Sequence, residues 1–254
     1  MSPAQLAKLI TATIHREVIE AAIMTRHRSP LVGFAAASDP RFADLQRLVE
    51  PTHLLPADLL PGARSVVSFF LPFECGVVIA NMAHREKVAT EWARAYVETN
   101  ALINGITARL IETLAGYGVR AATMPATHNF DPVTLVSRWS HKSVAVIAGL
   151  GSFGLHHLVI TDAGCAGRFG SLVLDADLPV TRAEPVERCL YYYDGSCVEC
   201  IHACPVAALS EAGAIDKQRC WERLLNITQQ FAHLGTADVC GKCSLGPCAL
   251  ESAV

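Results

Sequence analysis

An α+β protein in two unequal parts is what this sequence predicts, on three observations. Eight of its ten cysteines crowd into residues 189–248, the density of a small metal- or disulfide-held module. The 181 residues before that module alternate helical and strand-like apolar periods without an internal repeat. At 254 residues and 51% hydrophobic content, the chain has material for a large buried core beside the small module. The expected division is an α/β domain over 1–181 and a cysteine-rich domain over 182–254.

Gln5 to Met24 reads as an amphipathic helix, LVGFAAA from Leu31 as a short strand, and RSVVSFFL from Arg64, introduced by Pro61-Gly62, as a buried strand. Between Arg85 and Ala115, Trp92, Tyr96, Thr99, Ile103, Ile106, Leu110 and Leu114 recur at spacings of three and four, so one long helix buries them along a stripe. Gly116 and Gly118 stop it, and VRAATM from Val119 returns as a strand. Asp131-Pro132 has the form of a helix cap with proline in the first turn, which makes Asp131 a cap rather than a catalytic acid. Ser143 to Thr161 runs nineteen residues without an acid or base. Gly149, Gly151 and Gly154, with His156 and His157, break the apolar surface that a membrane helix needs, so the segment is expected as a buried strand–turn–strand.

The run CVECIHACP places Cys197, Cys200 and Cys204 before Pro205, close to the bacterial ferredoxin pattern C-x2-C-x2-C-x3-C-P. Asp194 stands where its first cysteine belongs, and Cys189, five residues upstream of Asp194, is near enough to fold back in its place. The partition that closes the count assigns Cys189, Cys197, Cys200 and Cys248 to one 4Fe-4S cluster and Cys204, Cys220, Cys240 and Cys243 to a second. Zinc is the competitor, since Cys197, Cys200, Cys240 and Cys243 form two C-x2-C pairs, but it leaves four cysteines unexplained. A disulfide framework is disfavoured because MSPAQLAKLI has no charged start and apolar run of a secretory signal. A cytoplasmic location is the matching expectation.

Charge excludes little. Residues 182–254 carry six Lys or Arg against nine Asp or Glu, while the first 181 residues carry 15 of each, so neither part is a basic nucleic-acid surface by net charge. VAVIAGLGSFG contains G-x-G-x-x-G at Gly149, Gly151 and Gly154, with Asp175 21 residues beyond, at the spacing of a nicotinamide-binding fingerprint. LHHLVITDAGCAGRFG is a poor helix to follow such glycines, because it holds the β-branched run VIT and Gly164, Gly167 and Gly170.

LLPGARSVVSF at Leu59, AGLGSFG at Ala148, GRFGSLVLD from Gly167, CVECIHACP, QRCWERLL around Cys220 and VCGKCSLGPC at Cys240 occur in the order of their counterparts in epoxyqueuosine reductases. The chain resembles a short, divergent member of that family, which is similar in turn to reductive dehalogenases. The resemblance runs from about Leu31 onward and is strongest after Lys142. It implies a nitroreductase-like α/β domain that binds cobalamin, followed by a ferredoxin-like domain with two 4Fe-4S clusters. It also implies that Gly149, Gly151, Ser152, Gly154 and His156, with Gly167, Arg168 and Gly170, border the corrinoid; glycines would let backbone approach a flat macrocycle, although tight turns need them equally.

Departures limit the transfer. The family usually continues the motif as AGLGWIGK, where this chain has Ser152 and Leu155. Its proton-donating acid falls near Leu135, four residues from Asp131, so no catalytic residue is carried over. The chain ends six residues after Cys248, short of the longer relatives' additional region, which makes transfer RNA a less expected partner. His141, His156 and His157 read as hydrogen-bonded core residues before ligands, and Cys165 and Cys75 as buried thiols. The leading expectation is an oxidoreductase passing electrons from a low-potential donor such as a ferredoxin or flavodoxin, through two clusters, to a corrinoid and a small or nucleoside-like substrate, with no membrane partner. An accessory corrinoid-reducing or corrinoid-carrying protein is the second expectation, and a nicotinamide-dependent iron–sulfur reductase the third.

Overall fold

The computed structural model describes residues 1–182 and 186–254. Helix α1 (Pro3–Glu20) begins at a capping box in which the Ser2 hydroxyl accepts from the Gln5 amide and the Gln5 side chain accepts from the Ser2 amide. Strand β1 (Leu31–Ala36) follows, then α2 (Arg41–Leu48) and the single turn α3 (Pro56–Leu59). Strand β2 (Ser65–Pro72) is buried at all eight positions. Helices α4 (Cys75–Met82) and α5 (Thr90–Ala115), the two-residue strand β3 (Ala121–Ala122) and α6 (His141–Ile147) lead to a hairpin of β4 (Gly151–Phe153) and β5 (Val159–Thr161). Strand β6 (Gly167–Leu174) completes the large part.

The main sheet has order β1-β2-β6-β3 and is antiparallel throughout. Side chains alternate along β2, so its two faces enter different layers. Val67, Phe69 and Leu71 join Ile10 and Ile14 of α1 and Ile103, Ile106, Leu110 and Leu114 of α5 in one core. Val66 faces the other way, with Phe42 of α2, Trp139, and Val144 and Ile147 of α6. Each of these fully buried aliphatic side chains contributes roughly 1.5–3 kcal/mol through removal from water. The expected stripe on α5 is buried at all seven positions. Gly170 of β6 lets α5 lie close, since a Cβ there would stand 2.7 Å from Ile103 Cγ2 and 2.4 Å from the Phe69 ring.

Two expectations are corrected. Residues 141–147 are a helix, not a strand, because the Ser140 hydroxyl accepts from the Ser143 amide and starts a helical turn in spite of the β-branched run. Asp131 caps a turn rather than a helix: its carboxylate accepts from the Val133 and Thr134 amides, and Leu135 at φ 54° ends the turn.

The cysteine-rich part consists of α7 (Leu190–Asp194), α8 (Glu199–Ala203), α9 (Lys217–Gln230) and two 3-10 turns, Ala232–Leu234 and Lys242–Ser244. It shares a core with the large part: Phe73, Val78, Trp92 and Ala166 pack with Ile227, Phe231, Ala237 and Ala249 across the expected boundary. Arg28 ties the same junction, donating to the carbonyls of Phe73, Ala163 and Leu250 at 2.9, 2.6 and 2.6 Å. No helix of the described residues is long and apolar enough to cross a membrane.

Candidate metal centre

Short helices and tight turns collect the thiols. Cys189 precedes α7, which ends at Gly195 in the left-handed region (φ 77°), and the reversal carries the chain into Cys197. Cys200 lies in α8 and Cys204 at its end, where Pro205 prevents continuation. Cys220 sits in the first turns of α9, and Cys240 and Cys243 flank the start of a 3-10 turn that packs on α8. Cys189, Cys197, Cys200 and Cys248 line one cavity, together with Cys243, His156 and Ile160. Asp194, in the vacant ligand position, is exposed and its carboxylate accepts from the Ser196 amide.

The thiols separate by the neighbours whose charge they feel. Burial, then Cys248, Cys189 and Cys197, push Cys200 up to about 11. Burial, then Cys240 and Cys204, raise Cys220, while Cys243 is pushed far above the ordinary range by burial and by Cys240, Cys220 and Cys204. Cys243 also feels Cys200, so the two sets of neighbours meet at that pair. Eight crowded sulfurs cannot all ionise against one another, whereas bound iron would stabilise them as thiolates; the donor set fits two centres of four cysteines each.

Donors surround the sulfurs. Arg223 Nε lies 3.0 Å from Cys240 Sγ, and the Ala208 amide 3.2 Å from Cys204 Sγ. His156 Nε2 is 3.4 Å from Cys248 Sγ, and Cys165 Sγ is 3.8 Å from the same atom. Cys248 is held well below the usual thiol range, first by donation from Cys165 and then from His156, and Cys165 is correspondingly driven up. The ligand atoms of His156, Cys165 and Cys248 lie within 4.8 Å of one another, close enough for a single ion as well. Half-buried Lys142 donates to the His157 carbonyl at 2.8 Å; desolvation lowers it to about 8 against the opposing pull of Cys243.

The glycine motif serves close packing and tight turns. A Cβ on Gly151 would stand 2.1 Å from Ile160 O, one on Gly154 2.8 Å from His156 Cε1, one on Gly167 2.4 Å from Leu71 O, and one on Gly170 against Phe69. Protein, not open space, fills the room a Cβ on these four glycines would take, so packing alone requires them. Gly149 adopts φ 77° at the end of α6. The nicotinamide fingerprint also fails: a helix precedes the glycines and a hairpin follows, leaving no helix N-terminus to receive a pyrophosphate, and Asp175 pairs with Arg120 at 2.7 Å. Ser152 differs, because its hydroxyl is buried without a partner. Arg168 stacks over Tyr96 at 4.5 Å and donates to Asn100 at 2.9 Å. Cys165 is buried as expected, but Cys75 is exposed because it opens α4.

A buried polar chain was not foreseen from the sequence. Trp139 Nε1 donates to Ser171 Oγ at 2.9 Å, Ser171 donates to His141 Nδ1 at 2.8 Å, and His141 Nε2 donates to the Pro125 carbonyl at 3.0 Å. Burial holds His141 at about 4, which keeps the imidazole neutral near pH 7. The signals were present as the Ser140 cap and the tryptophan beside it, but nothing local linked them to Ser171, 30 residues away.

No family model matches the chain. It is 30% identical over 166 residues to epoxyqueuosine reductase of Salmonella typhimurium, across 65% of this chain and 40% of the relative. It is 25% identical over 211 residues to that of Bacillus cereus, across 74% of this chain and 51% of the relative. The chain thus spans two fifths to about half the length of these curated relatives. An epoxyqueuosine reductase solved with a modified tRNA-Tyr stem loop matches 96% of this chain and 66% of its own, at 19% identity and TM-score 0.60. A reductive dehalogenase whose structure suggests a mechanism for B12-dependent dehalogenation matches all of this chain and 33% of its own, at 17% identity and TM-score 0.62. The α+β fold is shared with both groups.

Proposed function

We propose that the chain, a divergent relative of the epoxyqueuosine reductases, is an iron–sulfur oxidoreductase carrying two 4Fe-4S clusters, one on Cys189, Cys197, Cys200 and Cys248, the other on Cys204, Cys220, Cys240 and Cys243. The single observation that supports this reading is the crowding of the thiols, with Cys189, Cys197, Cys200 and Cys248 lining one cavity and Cys243 on its wall beside Cys240, Cys220 and Cys204. Bound clusters would supply one-electron transfer at potentials reaching about −700 mV. The chain's own part is to exclude water with the apolar walls at Ile160, Leu190 and Pro247, and to offset thiolate charge with Arg223 and Lys142.

Cobalamin as the electron acceptor is supported by the relatives. Among the residues expected to border it, Ser152 suits a polar ligand edge through its unpartnered hydroxyl, whereas the glycines are committed to protein packing. An accessory reductase without substrate turnover is the second reading. It is favoured by the region around Leu135, where the expected position of the family acid is occupied by leucine in a left-handed turn and the nearby Asp131 is exposed. The electron donor, a nucleoside-like or other substrate, and the division at 181/182 belong to the proposal.

Iron and sulfide analysis of anaerobically reconstituted protein tests the clusters: iron for two four-iron centres supports them, and stoichiometric zinc sinks them. A cobalamin titration followed in the visible spectrum tests the acceptor. A corrinoid spectrum unchanged by the reduced protein removes it.

A further inference from the structure

The five residues joining β4 to β5 form a tight loop, in which the Gly154 amide donates to the Leu158 carbonyl and the His157 amide to the Gly154 carbonyl, both at 2.9 Å. His157 takes φ 60°, a conformation strained for a side-chain-bearing residue, and this turns the His156 ring inward, where it is 4% exposed. The Leu158 amide donates to His156 Nδ1 at 3.0 Å. With Nδ1 engaged as acceptor, the ring proton belongs on Nε2, which faces Cys248 Sγ at 3.4 Å. Gly154 makes room for that ring, since a Cβ there would collide with His156 Cε1 at 2.8 Å. Cys165 presents a second sulfur to Cys248 from a segment whose Cys165 amide donates to the Cys248 carbonyl.

We propose that this hairpin tunes a cluster: it fixes His156 as an N–H donor to the Cys248 thiolate and, with the Cys165 thiol, raises the reduction potential of the centre held by Cys189, Cys197, Cys200 and Cys248. The inference rests on the two-cluster reading. Reduction places one more electron on the cluster and its sulfurs, with no bond made or broken and no proton moved. A donor aimed at a ligating sulfur stabilises that added charge, so the reduced state gains more than the oxidised one. The glycine motif acquires a role in the same step, as the clearance that lets a histidine reach a ligand. His156 and Cys165 are positioning residues that act through Cys248.

The test is an EPR-monitored redox titration of the whole reconstituted chain, with iron counted first. Wild-type protein lacking the iron of two clusters defeats the underlying reading and not this inference. With that iron present, His156→Leu and Cys165→Ala are each expected to shift one cluster to lower potential and leave the other in place. His156→Gln, which can restore an N–H at the same reach, is expected to return the potential toward wild type. If His156→Leu sheds its cluster, Cys165→Ala and His156→Gln still give the reading. Retained iron with potentials unmoved in Cys165→Ala and in every His156 variant that holds its cluster overturns the inference, as does an equal shift of both clusters.

Discussion

Substituting Gly164 by alanine strikes the junction that positions Cys248. Gly164 has φ 76°, and a Cβ there would lie 2.3 Å from Ala249 O, 2.5 Å from its carbonyl carbon and 2.6 Å from Leu250 N. All three are main-chain atoms, so no side chain can turn aside. The left-handed conformation costs alanine about 1–2 kcal/mol, and the collision adds roughly 1–3 kcal/mol of overpacking. Gly195 separates the two costs, because it has φ 77° with nothing within 4 Å of its Cβ position. Gly195→Ala should therefore lower the thermal midpoint of the cluster-loaded protein by about 2–8 °C, and Gly164→Ala by about 4–20 °C, at the ~2–4 °C per kcal/mol usual for this size. Gly164→Ala should also lose iron more readily, since the backbone hydrogen bonds from Cys165 and Ala166 to the Cys248 and Ala249 carbonyls must open. Equal midpoints and equal iron retention in the two variants would refute the collision.

Other outcomes follow from the same geometry. His141 lies at about 4 when folded and near 6.5 when unfolded, so as pH falls through that window the unfolded chain takes up the proton first and stability is lost. The loss is roughly 2 kcal/mol at pH 5; denaturant midpoints at pH 7.5 and 5 should converge in His141→Gln, and an identical pH response in both proteins counts against the buried neutral imidazole. Cys189→Ala should lose the iron of one cluster while Asp194→Ala keeps a full complement, by iron assay; the reverse would make the carboxylate the ligand. Arg223→Gln removes a charged donor from Cys240 and should lower the potential of the cluster that His156 does not touch. An unshifted titration rejects that contribution.

The crowding of eight thiols into residues 189–248 was legible because ligand spacing is local, and the structure sets Cys189, Cys197, Cys200 and Cys248 around one cavity with Cys243 on its wall. The α5 stripe was legible for a related reason: Trp92 through Leu114 keep helical spacing over six turns, and the core accepts them all. Residues 141–147 were misread because VAVI favours a strand by side-chain shape, while the deciding hydrogen bond comes from Ser140, just before the run. Asp131 carried the right cap chemistry for the wrong element, since an Asx turn and a helix start present the same first residues. The glycines illustrate a deeper limit. Their sequence said that something approaches closely, but not whether it would be a ligand or the chain's own Ile160 and His156.

The pairing of Cys165 with Cys248 joins points 83 residues apart and has a temporal side. At the ~5–20 residues per second of translation, roughly 4–17 s separate the emergence of the two. Throughout that interval the β4–β5 hairpin and Cys165 can already stand in place on the nascent chain, waiting without their partner. If Cys248 ligates a cluster, the seat's electrostatic surroundings would therefore be prefabricated, and Cys248 would arrive after the other seven thiols to close it. On the two-cluster reading, insertion of that one centre would wait for Cys248, whereas the four thiols assigned to the other are complete once Cys243 has emerged.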